Sequence, residues 1–316
     1  MESISFVGKD GVNISGYRWL DIGDMADPRG VVQIAHGMAE HAARYDHFAR
    51  FLNRQGYLVY ANDHRGHGRT AGQLEGLGFF AEEAGWELAV ADLKCLTGVI
   101  KDQHPRLPIF LFGHSMGSLL ARDYLFSQGD ELAGAILSGT SGDPGFLNLI
   151  ALGLARLEIL FRGKKARSKL LNSLSFGSFN KAFQPARTDF DWLSRDEGKV
   201  DEYIADPYCG GLCTAGFFQD LFHGLRKINK KENLQKVPTE LPVLVFSGEK
   251  DPVGGFTVGV KQVVEDYIDA GLTNINCRFY PDGRHEMLNE LNREEVYRDL
   301  VDWLDENGTA GSGEAG

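Results

Sequence analysis

Cysteine is scarce in this chain: Cys95, Cys209, Cys213 and Cys277 are the only four in 316 residues. So few and so scattered, they exclude a disulfide framework for a protein of this length. Cys209 and Cys213 stand in CGGLC, but no second pair of ligands follows nearby, so no metal is implied. Apolar runs of eighteen residues are also missing, and the opening stretch MESISFVGKDGVNISGYRW has no cationic segment followed by an apolar one. A soluble cytoplasmic protein is the expectation. Positive charge is the third shortage, with 33 Lys and Arg against 44 Asp and Glu, a formal net charge of −11. Such a chain lacks the clustered cations that neutralise phosphates, so nucleic acid is not an expected partner.

What is present is a large apolar fraction, 43%, enough for one big α/β domain or a domain with an insertion. Eight short runs rich in Val, Ile, Leu, Phe and Tyr predict strands at Ser3–Val7, Ile14–Trp19, Val31–His36, Leu58–Asn62, Ile109–Gly113, Gly134–Ser138, Pro242–Ser247 and Ile275–Tyr280. The middle ones are continuously apolar, as strands buried on both faces of a parallel sheet are, while the first two alternate and fit an antiparallel edge. Helical periodicity fills the spaces between, at Tyr45–Arg54, Trp86–Gln103, Ser115–Ser127, Thr257–Ala270 and Arg293–Glu306. Alternating strand and helix predict a doubly wound sheet whose ligands bind at the carboxyl ends of the strands.

That rhythm breaks at residues 142–234, which read as a helical insertion into a core formed by 1–141 and 235–308. Within it, FLNLIALGLARLEILF (Phe146–Phe161) is too short and too charged to span a bilayer, and RGKKARSK (Arg162–Lys169) carries five cations in eight residues. Two readings stay open: an internal helix followed by a solvated basic turn, or a lid that makes transient contact with a lipid surface. Residues 309–316 read as a flexible tail by composition.

Chemistry enters at LFGHSMGSLL, which sets Ser115 between Gly113 and Gly117. With 39 glycines in the chain, roughly 0.2 such Gly-x-Ser-x-Gly matches arise by chance, so context has to decide. A serine hydroxyl is a weak nucleophile at neutral pH and needs a base together with a group that orients the base. SGEKDPVGG puts Asp251 after one predicted strand, and PDGRHEML puts His285 after the next. The order Ser115, Asp251, His285 is the one expected for a nucleophile elbow on such a sheet, with Glu249 the rival acid. Small flanking residues allow the tight turn, and the helix that starts there aims the Met116 N–H at developing negative charge. A second oxyanion donor is expected from HGMAEH, at the Met38 N–H, with Gly37 letting the chain turn closely. His36 and His41 bracket that loop, and His64 and His67 in DHRGHGRT lack the further ligands that a metal pair would need. His47, His104 and His223 read as surface or packing residues.

GHSMGS, HGMAEHAARY, NDHRGHGRT, SGEKDPV and GRHEMLNE resemble the α/β-hydrolase branch that holds monoacylglycerol lipases, lysophospholipases and serine aminopeptidase-like hydrolases. The resemblance spans nearly the whole chain outside the insertion and implies an α/β-hydrolase fold: an eight-stranded, mostly parallel sheet with helices on both faces and a helical cap. It implies Ser115 as nucleophile, His285 as base, Asp251 as its orienter, Met38 and Met116 as oxyanion donors, and no cofactor. By similarity to monoacylglycerol lipases, Glu40, Arg44 and His114 form a polar network under the elbow or touch the substrate head group. Met38 and Ala39 stand where close relatives often have smaller residues, which narrows the expected mouth of the acyl site.

The expected activity is that of a serine esterase acting through an acyl-enzyme on a small amphiphilic acyl ester such as a monoacylglycerol or lysophospholipid. An aminopeptidase on the same triad would need carboxylates to hold a substrate ammonium, and the insertion offers Asp189, Asp191, Asp196, Glu197, Asp201 and Glu202. A non-catalytic binding protein on this fold is the third reading, opposed by the intact triad pattern.

Overall fold

The computed structural model describes residues 1–308, and the tail expected at 309–316 lies outside them. Its strands are β1 (Glu2–Val7), β2 (Asn13–Trp19), β3 (Gly30–Ala35), β4 (Tyr57–Asn62), β5 (Ile109–His114), β6 (Gly134–Ser138), β7 (Val243–Gly248) and β8 (Ile275–Tyr280). They form one sheet in the order β1-β2-β4-β3-β5-β6-β7-β8. β2 runs antiparallel to both β1 and β4, and the remaining neighbours are parallel. No strand end lies more than one residue from its predicted place.

The helices, in chain order, are α1 (Asp46–Arg54), α2 (Gly85–Gln103), α3 (Met116–Gln128), α4 (Phe146–Arg162), α5 (Lys169–Phe176), α6 (Glu197–Ala205), α7 (Ala215–Ile228), α8 (Lys231–Leu234), α9 (Val258–Asp269) and α10 (Arg293–Gly308). Because successive side chains of a strand point to opposite faces, each buried strand feeds two cores. On one face Val31, Leu111, Leu137 and Val245 meet Trp86 and Leu93 of α2, Tyr124 of α3 and Tyr267 of α9. On the other, Val32, Phe112, Ile136 and Phe246 meet Phe48 and Leu52 of α1 and Tyr297 and Leu304 of α10. Burial on both sides explains why β3 to β7 are mostly apolar.

Between β6 and β7 the chain makes α4 to α8, and these helices are held unequally. Phe217, Phe218, Leu221, Phe222 and Leu225 of α7 join the first core. There Gly224 lies so close to Trp86 that a Cβ on it would stand 2.2 Å from the indole ring. On α4 only Asn148, Leu152 and Ala155 are buried, while Phe146, Leu147, Leu160 and Phe161 are strongly exposed. The basic turn that follows stays largely exposed yet is tied to the core. Lys164 donates to Glu82 O, Lys165 pairs with the Glu82 carboxylate at 2.7 Å, and Arg167 donates to Leu212 O and, at 3.0 Å, to Glu75 O. Among the described residues, the Glu75 and Glu82 carbonyls accept no backbone N–H outside regular elements, and the cations supply donors to them.

Candidate active site

β5 ends in a sharp turn at Ser115, whose φ of 51° and ψ of −120° form a conformation that non-glycine residues seldom adopt. A 2.8 Å bond from Ser115 N to Ser138 O fixes it against β6, and Ser118 Oγ closes the first turn of α3 on Ser115 O at 2.6 Å. Both flanking glycines are required by close approach. A Cβ on Gly117 would lie 2.0 Å from Ala35 O, and one on Gly113 would lie 2.5 Å from Gly117 O.

The loop after β3 packs directly on this turn, since a Cβ on Gly37 would come within 3.3 Å of the Ser115 Cβ. Glu40 Oε1 accepts the Gly37 N–H at 2.5 Å and the Tyr45 hydroxyl at 2.9 Å, which shapes the loop. Ala39 sits at φ 54°, where its small side chain is an advantage. Among the described residues, neither the Met38 nor the Met116 amide takes part in the bonds that tie these turns. Three buried histidines support the loop from below: His36 Nε2 accepts from His64 N at 2.9 Å, and the His36 ring lies 4.1 Å from that of His64 and 5.3 Å from that of His67. Burial pushes His64 down to about 3 and His67 down to about 4, so all this packing is between neutral rings.

Asp251, in the loop after β7, is fully buried and places both carboxylate oxygens 3.0 Å from His285 Nδ1. Ser247 Oγ, at 3.1 Å, and Val253 N, at 2.9 Å, also donate to it. Glu249 is exposed and its amide pairs with Tyr280 O, so the rival acid has no part in this contact. Burial works against charge on both partners, yet their attraction and the added hydrogen bonds prevail. His285 is raised above the ordinary imidazole value and Asp251 is lowered below the ordinary carboxylate value.

Ser115 and His285 open into one cavity of about 460 Å³. The core contributes Gly37 and Met38 to its wall, and the helical segment contributes Phe176, Trp192, Leu193 and Leu212 together with Asn172 and Asp189. Glu40 and Arg44 meet at 2.5 Å, and Arg44 also makes a two-pronged contact with Glu286, both bonds at 2.8 Å. Arg44 holds the Glu286 carboxyl down to about 2 against the opposing effect of burial. His114 lies beside this network without hydrogen-bonding to it. Its Nδ1 is 3.2 Å from Ser138 Oγ and its ring 4.7 Å from that of His285. Burial, followed by the nearby His285, brings His114 down to about 4, so it stays neutral beside His285.

Of the insertion acids, Asp189 alone lines the cavity. Asp191 accepts from Thr188 Oγ1 at 2.6 Å, Asp196 from Arg293 at 2.8 Å, Asp201 from Arg187 at 2.7 Å and Glu202 from Lys199 at 2.7 Å, while Glu197 lies 3.8 Å from Arg187. One group among the described residues gathers three metal-ligand types, His41, Asp206 and Cys209. Its His41–Asp206 contact of 2.8 Å already joins two of the three. Sequence reasoning passed over Glu286 and Trp192. The first stands next to His285 in GRHEML and was within reach; the second carries no motif.

A family model described as serine aminopeptidase, S33, matches residues 26–292. The chain is 32% identical to the monoacylglycerol lipase of Mycolicibacterium smegmatis over 95% of each protein, and 28% identical to the human monoglyceride lipase over 78% of this chain and 72% of that one. Among solved structures, a thermostable carboxyl esterase from Bacillus coagulans superposes with a TM-score of 0.87 at 30% identity, covering 97% of this chain and 98% of that one. The monoglyceride lipase of Saccharomyces cerevisiae, at 21% identity, shares the fold with a TM-score of 0.76 over 97% of this chain and 94% of its own. The chain belongs to the serine aminopeptidase S33 family of α/β-hydrolases, in the branch that resembles monoacylglycerol lipases.

Proposed function

We propose that this protein is a serine ester hydrolase that cleaves monoacylglycerols through an acyl-enzyme. The observation that carries the reading is the buried His285–Asp251 pair opening onto the same cavity as the strained Ser115. With Nδ1 committed to Asp251, Nε2 of His285 takes the Ser115 proton as Oγ attacks the ester carbonyl. The Met38 and Met116 N–H groups hold the oxyanion. Collapse breaks the ester C–O bond and His285 returns the proton to the leaving alkoxide. Water, deprotonated by the same nitrogen, then releases the acid and restores Ser115.

Met38, Phe176, Trp192 and Leu212 suit the acyl chain, and Asn172 and Asp189 suit a hydroxylated head group. A peptidase would need several carboxylates around the ammonium, and five of the six candidate acids lie against other groups outside the cavity, so the ester is favoured. The exposed apolar residues of α4 form the surface by which the protein meets lipid. No helix among the described residues is long and apolar enough to cross a membrane. Four free cysteines suit a reducing compartment, and we place the protein in the cytoplasm.

Hydrolysis of a chain-length series of monoacylglycerols and p-nitrophenyl esters by wild type and Ser115→Ala tests the mechanism. Ser115→Ala loses about 10⁶-fold in kcat with its melting temperature preserved. In the wild type, kcat/KM falls as the pH drops through a value above the ordinary 6.5 of imidazole, because the raised His285 gains a proton there. Activity retained by Ser115→Ala, or aminoacyl amides cleaved in preference to esters, overturns the proposal.

A further inference from the structure

The loop that carries His285 does not stand on the core alone. Residues 190–196 of the helical segment run beside it. Trp192 O accepts from His285 N at 3.4 Å, and Leu193 O accepts from Glu286 N at 2.7 Å. Ser194 Oγ donates to Asn289 O at 2.9 Å. At the centre is Glu290, fully buried. Its Oε1 accepts from Arg195 N and Arg284 N, each at 3.0 Å, and its Oε2 from Arg195 Nε at 2.8 Å and Leu291 N at 3.0 Å. A buried carboxylate with four donors from two chain segments fixes them in one register, because loss of any donor leaves charge unsatisfied.

That register sets the indole of Trp192 over the His285 ring, with centroids 5.2 Å apart and planes 36° apart. Asn180 Oδ1 accepts the Trp192 N–H of the backbone at 3.0 Å, and the rings of Phe176 and Phe179 pack against the indole at 6.4 and 5.1 Å, so its position is determined from behind as well. We propose that Trp192, locked in place by the Glu290–Arg195 clasp, is a positioning residue of the reaction: its ring face stabilises the His285 imidazolium that forms at each proton transfer and keeps water off it. An aromatic face attracts a cation at this range, most strongly where solvent is excluded. The helical segment thus completes the base as well as walling the substrate cavity. The inference rests on His285 being the base.

The titratable groups facing the His285 ring are Asp251 from the loop after β7, His114 from the end of β5, its own neighbour Glu286 and, from the loop after β3, Glu40. Trp192→Leu and Trp192→Phe leave all four in place. The measurement is the pH profile of kcat/KM on p-nitrophenyl butyrate, a short ester that makes little demand on the acyl site, with melting temperatures taken in parallel. Trp192→Leu is expected to lose at least about fivefold in kcat and to shift its acid limb to lower pH by about half a unit, with Trp192→Phe close to wild type. Glu290→Gln, which keeps shape and removes charge, is expected to move the limb in the same direction. An unmoved acid limb in Trp192→Leu, whether or not the variant melts earlier, overturns the inference. Ser115→Ala and His285→Ala, run alongside, distinguish the failures: activity in either sinks the triad reading itself, whereas inactive triad variants with an unmoved limb sink this inference alone.

Discussion

Two helices of the same segment, α4 and α7, end in opposite environments, and the one richer in apolar residues, α4, is the less buried. α7 carries Phe217, Phe218, Leu221, Phe222 and Leu225 on one side and Gln219, Asp220, His223 and Arg226 toward the other, and its apolar stripe lies in the core. α4 is apolar nearly all round, and only Asn148, Leu152 and Ala155 are buried. A helix of the second kind is usually enclosed by protein or lipid. Burial therefore follows the arrangement of apolar residues more than their number: a stripe specifies a docking face, and a full circumference leaves surplus surface for a partner to cover.

The largest test of this contrast is acid. His67, beneath the loop after β3, packs against Phe217 of α7 with ring centroids 5.8 Å apart, and His36 and His64 are its neighbours. In the unfolded chain these histidines bind protons near pH 6.5, whereas in the fold His67 does so only near 4 and His64 near 3. The unfolded state thus holds more protons in that window, and stability, complete above about pH 6.5, falls as the pH drops toward 4. For His67 alone the loss approaches roughly 3 kcal/mol, offset in part by His285, whose raised value has the opposite sign. Urea midpoints between pH 7 and 4 measure it, and hydrogen exchange should rise earlier in α7 than in β5. A flat stability curve through this window would mean that the three rings are not packed as described.

Next in size is the exposed apolar side of α4. Leu160→Ser together with Phe161→Ser removes two of the most exposed apolar groups. Partial burial of two such side chains in a lipid surface is worth about 2 kcal/mol, so vesicle partitioning should weaken about thirtyfold. Turnover of a soluble short ester should not change. Equal vesicle binding by the variant would show that α4 is not the contact.

Much of this was legible in the sequence. Largely apolar runs marked β3 to β7 because strands buried on both faces leave no polar side, and Ser115, Asp251 and His285 could be picked out as the proposed triad because each follows a strand. What stayed hidden depends on pairings between distant segments. Arg195 and Glu290 are 95 residues apart and have no periodicity to announce them, and Trp192 gains meaning only when its strand of loop lies beside His285. The apolar run of α4 looks the same in sequence whether core or solvent surrounds it. RGKKARSK likewise showed its charge but not the carbonyls at 74–82 that its cations would find.

Glycines sharpen the comparison on a smaller scale. Gly224→Ala on α7 forces a methyl against Trp86 and should cost about 1–3 kcal/mol, several degrees in melting temperature. Gly153→Ala on α4 meets nothing within 4 Å and should stabilise by about 0.5–1 kcal/mol through helix propensity. Equal shifts for the two would remove the distinction between a docked helix and a free one.

The smallest effect should come from the clasp between the basic turn and the core. Lys165 and Glu82 are 69% and 65% exposed, and pairs so open to solvent contribute little after side-chain ordering and salt screening. Lys165→Ala is expected to change the melting temperature by less than about 1 °C, because a pair this exposed is screened by solvent. Arg167→Ala should cost more, since its guanidinium serves the carbonyls of Glu75 and Leu212 together and no other side chain replaces it there. If Lys165→Ala proves the more damaging of the two, charge and not backbone satisfaction holds the turn, and α4 would then detach more readily at high salt, where vesicle binding and thermal stability should both become salt-dependent.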